Sequence, residues 1–181
     1  MRYPFIVGEK IYLRPLCWED LNERYLSWVN DSEVTKYMET GTFPTDMEKL
    51  KEYYRKITNS SNDIILAIVL RKEFATKYDT HIGNITLNSI NWIHRTANLG
   101  IMIGEKGYWG QGYGTEAIML MVSHAFNKLN LHRIWAGIYA EHEASIKAFK
   151  GAGFTIEATL LQELYQDKIY HDKVIVGVIN I

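Results

Sequence analysis

Four glycines fall within eight residues, at Gly107, Gly110, Gly112 and Gly114, in the stretch "ANLGIMIGEKGYWGQGYGTEAIMLMVSHAF" that begins at residue 97. The residues before them read as a strand, and those after them carry apolar side chains at helical spacing. A strand that ends in a glycine-rich turn and opens a helix is suited to hold an anion. The first N–H groups of a helix have no partner within it, and the helix dipole favours negative charge there. Glycine lets a ligand come close to the main chain and permits positive φ. A pyrophosphate is the usual guest of such a turn; a bend that merely redirects the chain is the alternative.

Two phosphate-binding patterns fail on particular residues. A P-loop needs a lysine followed by Ser or Thr after its second glycine, and no such pair stands here. Gly112, Gly114 and Ala117 satisfy G-x-G-x-x-A as a string, but the dinucleotide fingerprint wants an acidic residue about 20 positions on. The region "LNLHRIWAGIY" has none, and the first carboxylate after it is Glu141.

Other chemistry-bearing types are sparse. Cys17 is the single cysteine, so no disulfide framework exists and a reducing compartment fits. It follows an apolar strand-like run and is expected to be a small buried residue rather than a nucleophile. "HEASI" lacks the second histidine of a zinc helix, no G-x-S-x-G occurs, and no metal site is expected. Tyr170, His171 and Asp172 form the densest polar cluster, which a turn before the last strand also explains.

The elements that must position these groups can be read in order. "KIYLRPL" is a strand with Ile11 and Leu13 on one side, and "WEDLNERYLSWVND" a helix with Glu19 and Asp20 at its start. "SEVTKYM" is a short helical piece with Ser32 as cap, and "TDMEKLKEYYRKI" a helix capped by Thr45 with Glu48 three residues on. "DIILAIVL" is a buried strand, and "RKEFATKYDT" a polar turn or loop. "HIGNITLNSINWI" alternates Ile82, Asn84 and Thr86 against Gly83, Ile85 and Leu87. "RTANLGIMIG" is the next strand, and "TEAIMLMVSHAFNKLN" a helix with Ile118, Met121, Val122, Ala125, Phe126 and Leu129 on one stripe. Met119 is expected in the core with Met121 and Phe126. "RIWAGIY" is a strand, "ASIKAFKGAG" a short helix ended by glycine, and "FTIEATLLQELY" and "KVIVGVIN" a closing antiparallel pair around "QDK".

The bulk numbers agree with one globular domain over residues 1–181. Hydrophobic content is 47%, charged content 23% and net charge −1, and no run of five basic residues occurs. Nucleic acid and anionic membrane therefore have little electrostatic support. No apolar run approaches the ~20 residues of a membrane span. The N-terminus lacks a signal peptide pattern, and a cytoplasmic protein is expected. On that reading the sequons "NDS", "NSS" and "NIT" are chance matches.

"GYWGQGYGTEA" resembles the acetyl-CoA loop of the GNAT N-acetyltransferases, (Q/R)-x-x-G-x-(G/A), with Gly112 and Gly114 in the final G-x-G and Trp109 in the Gln/Arg position. "LRPLCWEDL" is similar to the family's first strand and helix start, and "EHEASIKAFKGAGF" to its N-x-x-S-x-x-x-Y-x-x-x-G-F segment. "IYHDKVIVGV" resembles the ending of the branch that includes ribosomal-protein N-terminal acetyltransferases and spermidine acetyltransferases. The resemblance implies a single-domain α/β (α+β) fold, its mixed central sheet splayed between strands 4 and 5 ("NLGIMI" and "RIWAGIY") and flanked by helices. It implies transfer of acetyl from acetyl-CoA to a primary amine, of a protein N-terminus or a small molecule, without a metal. Backbone groups of Ile101, Met102 and Ile103 would pair with the pantetheine and polarise the thioester carbonyl, a role worth about 10²–10³ in rate. Backbone N–H groups of Trp109, Gly110, Gln111, Gly112, Tyr113, Gly114 and Thr115 would hold the pyrophosphate.

The carry-over departs at two positions. Many members place a tyrosine acid where this chain has Phe149, and an asparagine where it has His142; Phe149 is still expected among the residues that bind the cofactor. Ser145 keeps the family serine and would sit near the sulfur; a helix cap is its other reading. His142 would bond the pantetheine or stand as a solvated turn residue. The amine needs a base, and Glu163, Asp172, Glu39 and Asp20 lie in segments that border the acceptor site in the fold. "WVNDSEVTKYMETGTFP" would wall that site, its acids Asp31, Glu33 and Glu39 suiting a polyamine or peptide and its aromatics Trp28, Tyr37 and Phe43 an amino sugar. A homodimer is compatible with this reading. So are a non-catalytic acyl-CoA-binding module, kept open by Phe149, and, more remotely, a nicotinamide-dependent oxidoreductase.

Overall fold

A computed structural model describes residues 3–74 and 80–181. The polar loop expected over 71–80 therefore falls largely outside the described residues. An eight-stranded sheet runs through the molecule in the order β1-β2-β3-β4-β5-β6-β8-β7. Its strands are β1 (Ile6–Val7), β2 (Ile11–Pro15), β3 (Ile64–Leu70), β4 (His81–Asn91), β5 (Thr96–Ile103), β6 (Arg133–Tyr139), β7 (Thr155–Gln166) and β8 (Ile169–Ile179). The two-residue β1 is one strand more than the sequence suggested, so the expected strands 4 and 5 are β5 and β6. Their pairing is parallel, and the other neighbours are antiparallel.

Helices cover both faces. On one side α3 (Tyr113–Asn127) and α4 (Glu143–Gly151) pack Ile118, Met121, Ala125 and Phe149 against Leu13, Ile68, Leu87, Leu99 and Ile134. On the other, α1 (Glu23–Asn30) and α2 (Met47–Thr58) pack Tyr25, Trp28, Leu50 and Ile57 against Tyr12, Ile65, Ala67 and Val69. Strand β3 is covered on both sides, which is why it reads as an unbroken apolar run.

The caps explain where the expected boundaries move. Asn22 Oδ1 accepts from the N–H groups of Arg24 and Tyr25, so α1 begins after a separate 3₁₀ turn at Trp18–Asp20. Asp46 rather than Thr45 caps α2, accepting from Lys49 N–H at 2.8 Å. Asp31 rather than Ser32 caps the following turn, accepting from Glu33 and Val34. In each case the carboxylate or amide is the stronger acceptor of adjacent polar residues. Met119 is 52% exposed, one position off the buried stripe of Met121. Cys17 is half-buried, not enclosed.

Strand β4 does not alternate as simply as its sequence does. The β3–β4 register shifts between Ile68 and Val69, which pair with Gly83 and His81. Ile82 thereby joins Ile85 and Leu87 on the α3 face, while His81, Asn84, Thr86 and Asn88 belong to the α1/α2 face. A bulge of this kind reassigns faces that period-2 counting would keep.

Candidate active site

The sheet opens at one place. Strands β5 and β6 pair over Thr96–Arg133, Ala97–Ile134 and Asn98–Trp135 and no further. Beyond that point β5 stays with β4 through Ile103, and β6 stays with β8 through Tyr139. Each strand is held on its outer side while the inner edges part. Asn98 Nδ2 reaches the Trp135 carbonyl at 3.4 Å at the base of the split.

The chain beyond β5 turns into the glycine stretch. Gly110 and Gly112 have φ of 72° and 86°, and Gly112 is the N-cap of α3. An L-residue would be strained at both. Gln111 Nε2 closes the turn on the Gly107 carbonyl at 2.7 Å, and Trp109 Nε1 ties it to the Ile103 carbonyl at 2.7 Å. Trp109 thus anchors the loop to the end of the split strand. From Gly110 to Thr115 no backbone N–H has a partner among the described residues; Glu116 N–H is the first that is bonded, to the Gly112 carbonyl. A Cβ at Gly107, Gly110 or Gly112 would meet nothing within 4 Å. Unpaired donors, a helix N-terminus and open space together fit a diphosphate, which needs several donors and tolerates no side chain in its place.

Two hollows lie on the opposite, α1/α2 face, one on each side of the split. The first encloses about 360 Å³ between the α1–α2 segment and β4–β5, floored by Asn84, Thr86, Asn88 and Gly100. The second, about 410 Å³, is bounded by Tyr37, Glu39, Asn98, Trp135, Tyr139 and Lys173. The wall between them and solvent is docked onto the cradle. Trp28 Nε1 donates to Glu105 Oε1 at 3.2 Å, and Lys106 Nζ lies 2.9 Å from both Asp31 Oδ2 and Glu33 Oε2. The Lys106 hydrogen bond holds the Asp31 carboxyl below its usual range.

The expected site residues separate into those near the split and those committed elsewhere. Ser145 is the third residue of α4, whose N-cap is His142, so Ser145 is not the cap. Its hydroxyl has no hydrogen-bond partner among the described residues. His142 is not a solvated turn residue: it is half-buried and stacked on Tyr37, centroids 4.3 Å apart. Burial, with Lys36 nearby, lowers its pKa. Phe149 is 2% exposed and packs edge-on against Phe154, as a core residue does.

Among the carboxylates, Glu39 lines the second hollow. Glu163 lies on β7 with Lys173 Nζ 3.9 Å away. Asp172 spends one oxygen on Gln162 N–H, at the β7 irregularity between Leu160 and Leu164. Asp20 is clasped by Arg14 at 2.7 and 2.9 Å and by Cys17 N–H at 2.8 Å, and its Oδ1 lies 3.9 Å from His81 Nδ1. Burial opposes its charge, but these bonds outweigh it and hold the carboxyl below its usual range. Tyr139, bordering the second hollow, was missed by the sequence reading; burial first, then Glu39, raise its phenol pKa. His171 Nδ1 donates to Glu141 Oε1 at 3.0 Å, which raises the His171 pKa.

His81 and Asn84 were also missed as a pair. His81 is enclosed by Tyr25 and Trp28, with ring centroids 6.1 and 5.1 Å away. Burial pushes it down to about 4. Its Nε2 lies 3.0 Å from Asn84 Oδ1, leaving Asn84 Nδ2 as the buried side-chain polar atom without a partner among the described residues. An unpaired buried donor costs about 1–3 kcal/mol.

The acetyltransferase (GNAT) domain family matches residues 10–155, which run from the start of β2 into β7 and include the cradle and the split. The chain is 30% identical over 159 residues to the uncharacterized N-acetyltransferase p20 of Bacillus licheniformis, covering 84% of this chain and 83% of that one. It is 28% identical over 169 residues to the spermidine N(1)-acetyltransferase of Escherichia coli K12, covering 92% and 84%. Its fold matches that of the Vibrio cholerae spermidine N-acetyltransferase, solved with CoA and spermine, with a TM-score of 0.84 at 23% identity over 95% of this chain and 96% of that one. The chain therefore belongs to the GNAT family and is an acetyl-CoA-dependent acetyltransferase.

Proposed function

We propose that this enzyme acetylates a primary amine, on a small molecule or a protein N-terminus, by direct attack within a ternary complex. The observation that carries the reading is the placement of the split. It has an anion cradle at one end of β5 and two hollows on the far face, so two substrates can meet through it without sharing a site. Acetyl-CoA supplies the activated acyl group. The N–H groups of 110–115 hold its pyrophosphate. The free edge of Ile101–Ile103 aligns the pantetheine and polarises the acyl carbonyl. Ser145, with an uncommitted hydroxyl, stands by the departing sulfur. A thiol titrates near ~8.5, so the thiolate can leave near neutrality without the tyrosine that Phe149 replaces.

An alkylamine titrates near ~10.4 and must lose a proton before it attacks. Glu39 is the carboxylate best placed for this, directly or through water, because it lines a hollow at the split. Asp172 and Glu163 then act at one remove, Asp172 by fixing the β7 irregularity and Glu163 by orienting Lys173.

The test is thiol release from acetyl-CoA against spermidine, amino sugars, aminoglycosides and peptides with N-terminal Ser, Ala or Asp. Release with one class establishes the reaction and its acceptor. CoA binding with silence across the whole panel would sink the transfer reading and leave an acyl-CoA-binding module.

A further inference from the structure

The hollow beneath α1 and α2 has a chemistry of its own. Gly100, Ile101 and Met102 line it, and these are β5 residues beyond the last pair with β6. A group placed at the free edge therefore has this space beside it. The floor is a row of neutral polar side chains on one face of β4: Asn84, Thr86 and Asn88. Thr86 Oγ1 takes the Asn88 amide at 2.8 Å and points back to the Gly100 carbonyl at 3.4 Å. Asn84 is 5% exposed, its Oδ1 is engaged by His81, and its Nδ2 donates to nothing among the described residues. The lining holds one charged side chain, Lys49, and no carboxylate. Across the split, the second hollow is lined by Glu39, with Lys173 turned to Glu163 at 3.9 Å. The first hollow is therefore not built to desolvate a second ammonium, because a buried cation needs a carboxylate partner. An unpaired amide donor, in a lining whose one charged side chain is Lys49 with its ammonium on the Pro44 carbonyl at 2.9 Å, instead suits an acceptor of hydrogen bonds.

We propose that this hollow is the acceptor's specificity pocket, that Asn84 Nδ2 donates to a carbonyl next to the reacting amine, as in a peptide or amino-acid amide, and that the pocket discriminates against polyamines. The proposal rests on the transfer reading above and narrows it. Asn84 and Lys49 are specificity residues in it; the reacting atoms belong to the split.

The experiment compares kcat/KM for an alanine-initiated tripeptide amide and for spermidine, in wild type and two variants. Wild type should prefer the peptide by roughly 10-fold or more, the worth of one satisfied buried donor. Asn84→Leu should raise the peptide KM roughly 10-fold and lower the peptide-over-spermidine ratio of kcat/KM correspondingly. Lys49→Glu, an exposed change that spares the core, should shift the ratio several-fold toward spermidine. A wild-type preference for spermidine, or a peptide KM indifferent to both substitutions, overturns the proposal while leaving acetyl transfer standing. If no amine is acetylated, calorimetry of the tripeptide amide into CoA-loaded protein still decides it. Binding weakened by Asn84→Leu supports the pocket, and equal or absent binding overturns it.

Discussion

The cradle and the groove beneath α1 and α2 lie on opposite faces of one split sheet and are built in opposite ways. The cradle is a single run of chain, Gly107 to Thr115, in which backbone does the work and side chains (Trp109, Gln111) only brace it. The groove is assembled from segments far apart: Tyr25 and Val29 on α1, Leu50 and Tyr53 on α2, Asn84 on β4 and Met102 on β5. Backbone donors can be blocked but not mutated away. Side-chain floors can be rewritten one residue at a time. A family can therefore keep one cofactor and change acceptors, because the two recognitions rest on different parts of the peptide unit.

That contrast can be broken most forcefully at Gly112. Gly112→Val puts branches into the open space and strains a φ of 86°. CoA affinity should fall about 100-fold or more by calorimetry. Unchanged affinity would remove the cradle from the mechanism. The groove side should instead answer to pH through His81. Its folded pKa, about 4, lies below the ordinary imidazole value, so the unfolded chain binds more protons between the two. The stability that the neutral ring contributes is present above about pH 6.5 and is lost as pH falls toward the folded value. Denaturant titrations should show a loss on the order of 3 kcal/mol across that window, flattened in His81→Gln. A wild type with the same pH slope as the variant would mean that the ring titrates normally.

Ser145→Ala should lower kcat about tenfold with the KM for acetyl-CoA unchanged, the split expected of a group that acts at the leaving sulfur. Equal kcat would make Ser145 a bystander in the first turn of α4. The smallest effect belongs to Lys106→Ala, which unties the groove wall from the cradle. Exposed pairs of this kind contribute under about 1 kcal/mol, so both KM values should rise by about threefold or less and wild type should approach the variant at high salt. A change in one KM alone would show the two regions to be energetically separate.

The two regions also differ in how far they can be read without coordinates. The cradle was legible because its chemistry is contiguous: strand end, glycines and helix start follow each other in sequence. The β6 strand and the glycine end of α4 were legible for the same local reason, whereas Tyr170, His171 and Asp172, which the sequence allows as a turn before the last strand, lie within β8, paired with β7. Asn84 and His81 were not legible. Their pairing depends on the register shift opposite Ile68, which no periodicity reveals. The carboxylates could not be told apart in the sequence, because composition shows only that an acid is present. The partners of Asp20 (Arg14) and Asp172 (the Gln162 N–H) are set by tertiary approach. Tyr139 was overlooked as the last residue of an apolar strand, where only the parting of β5 from β6 gives its hydroxyl something to face.

The irregular outer strand β7 has a consequence for the life of the protein in a crowded solution. It is the sheet's long free edge, with Leu161 77% exposed and Ile156, Leu160 and Tyr165 also at the surface. A flat edge of that composition would recruit the same strand from a neighbour and grow into a fibre. Its register breaks twice, between Ile156 and Ala158 and between Leu160 and Leu164, and Gln162 at φ 53° is held out of line by Asp172. No straight ladder longer than a few residues is left for another chain to copy, so the Asp172–Gln162 bond helps blunt this edge against pairing with a second copy.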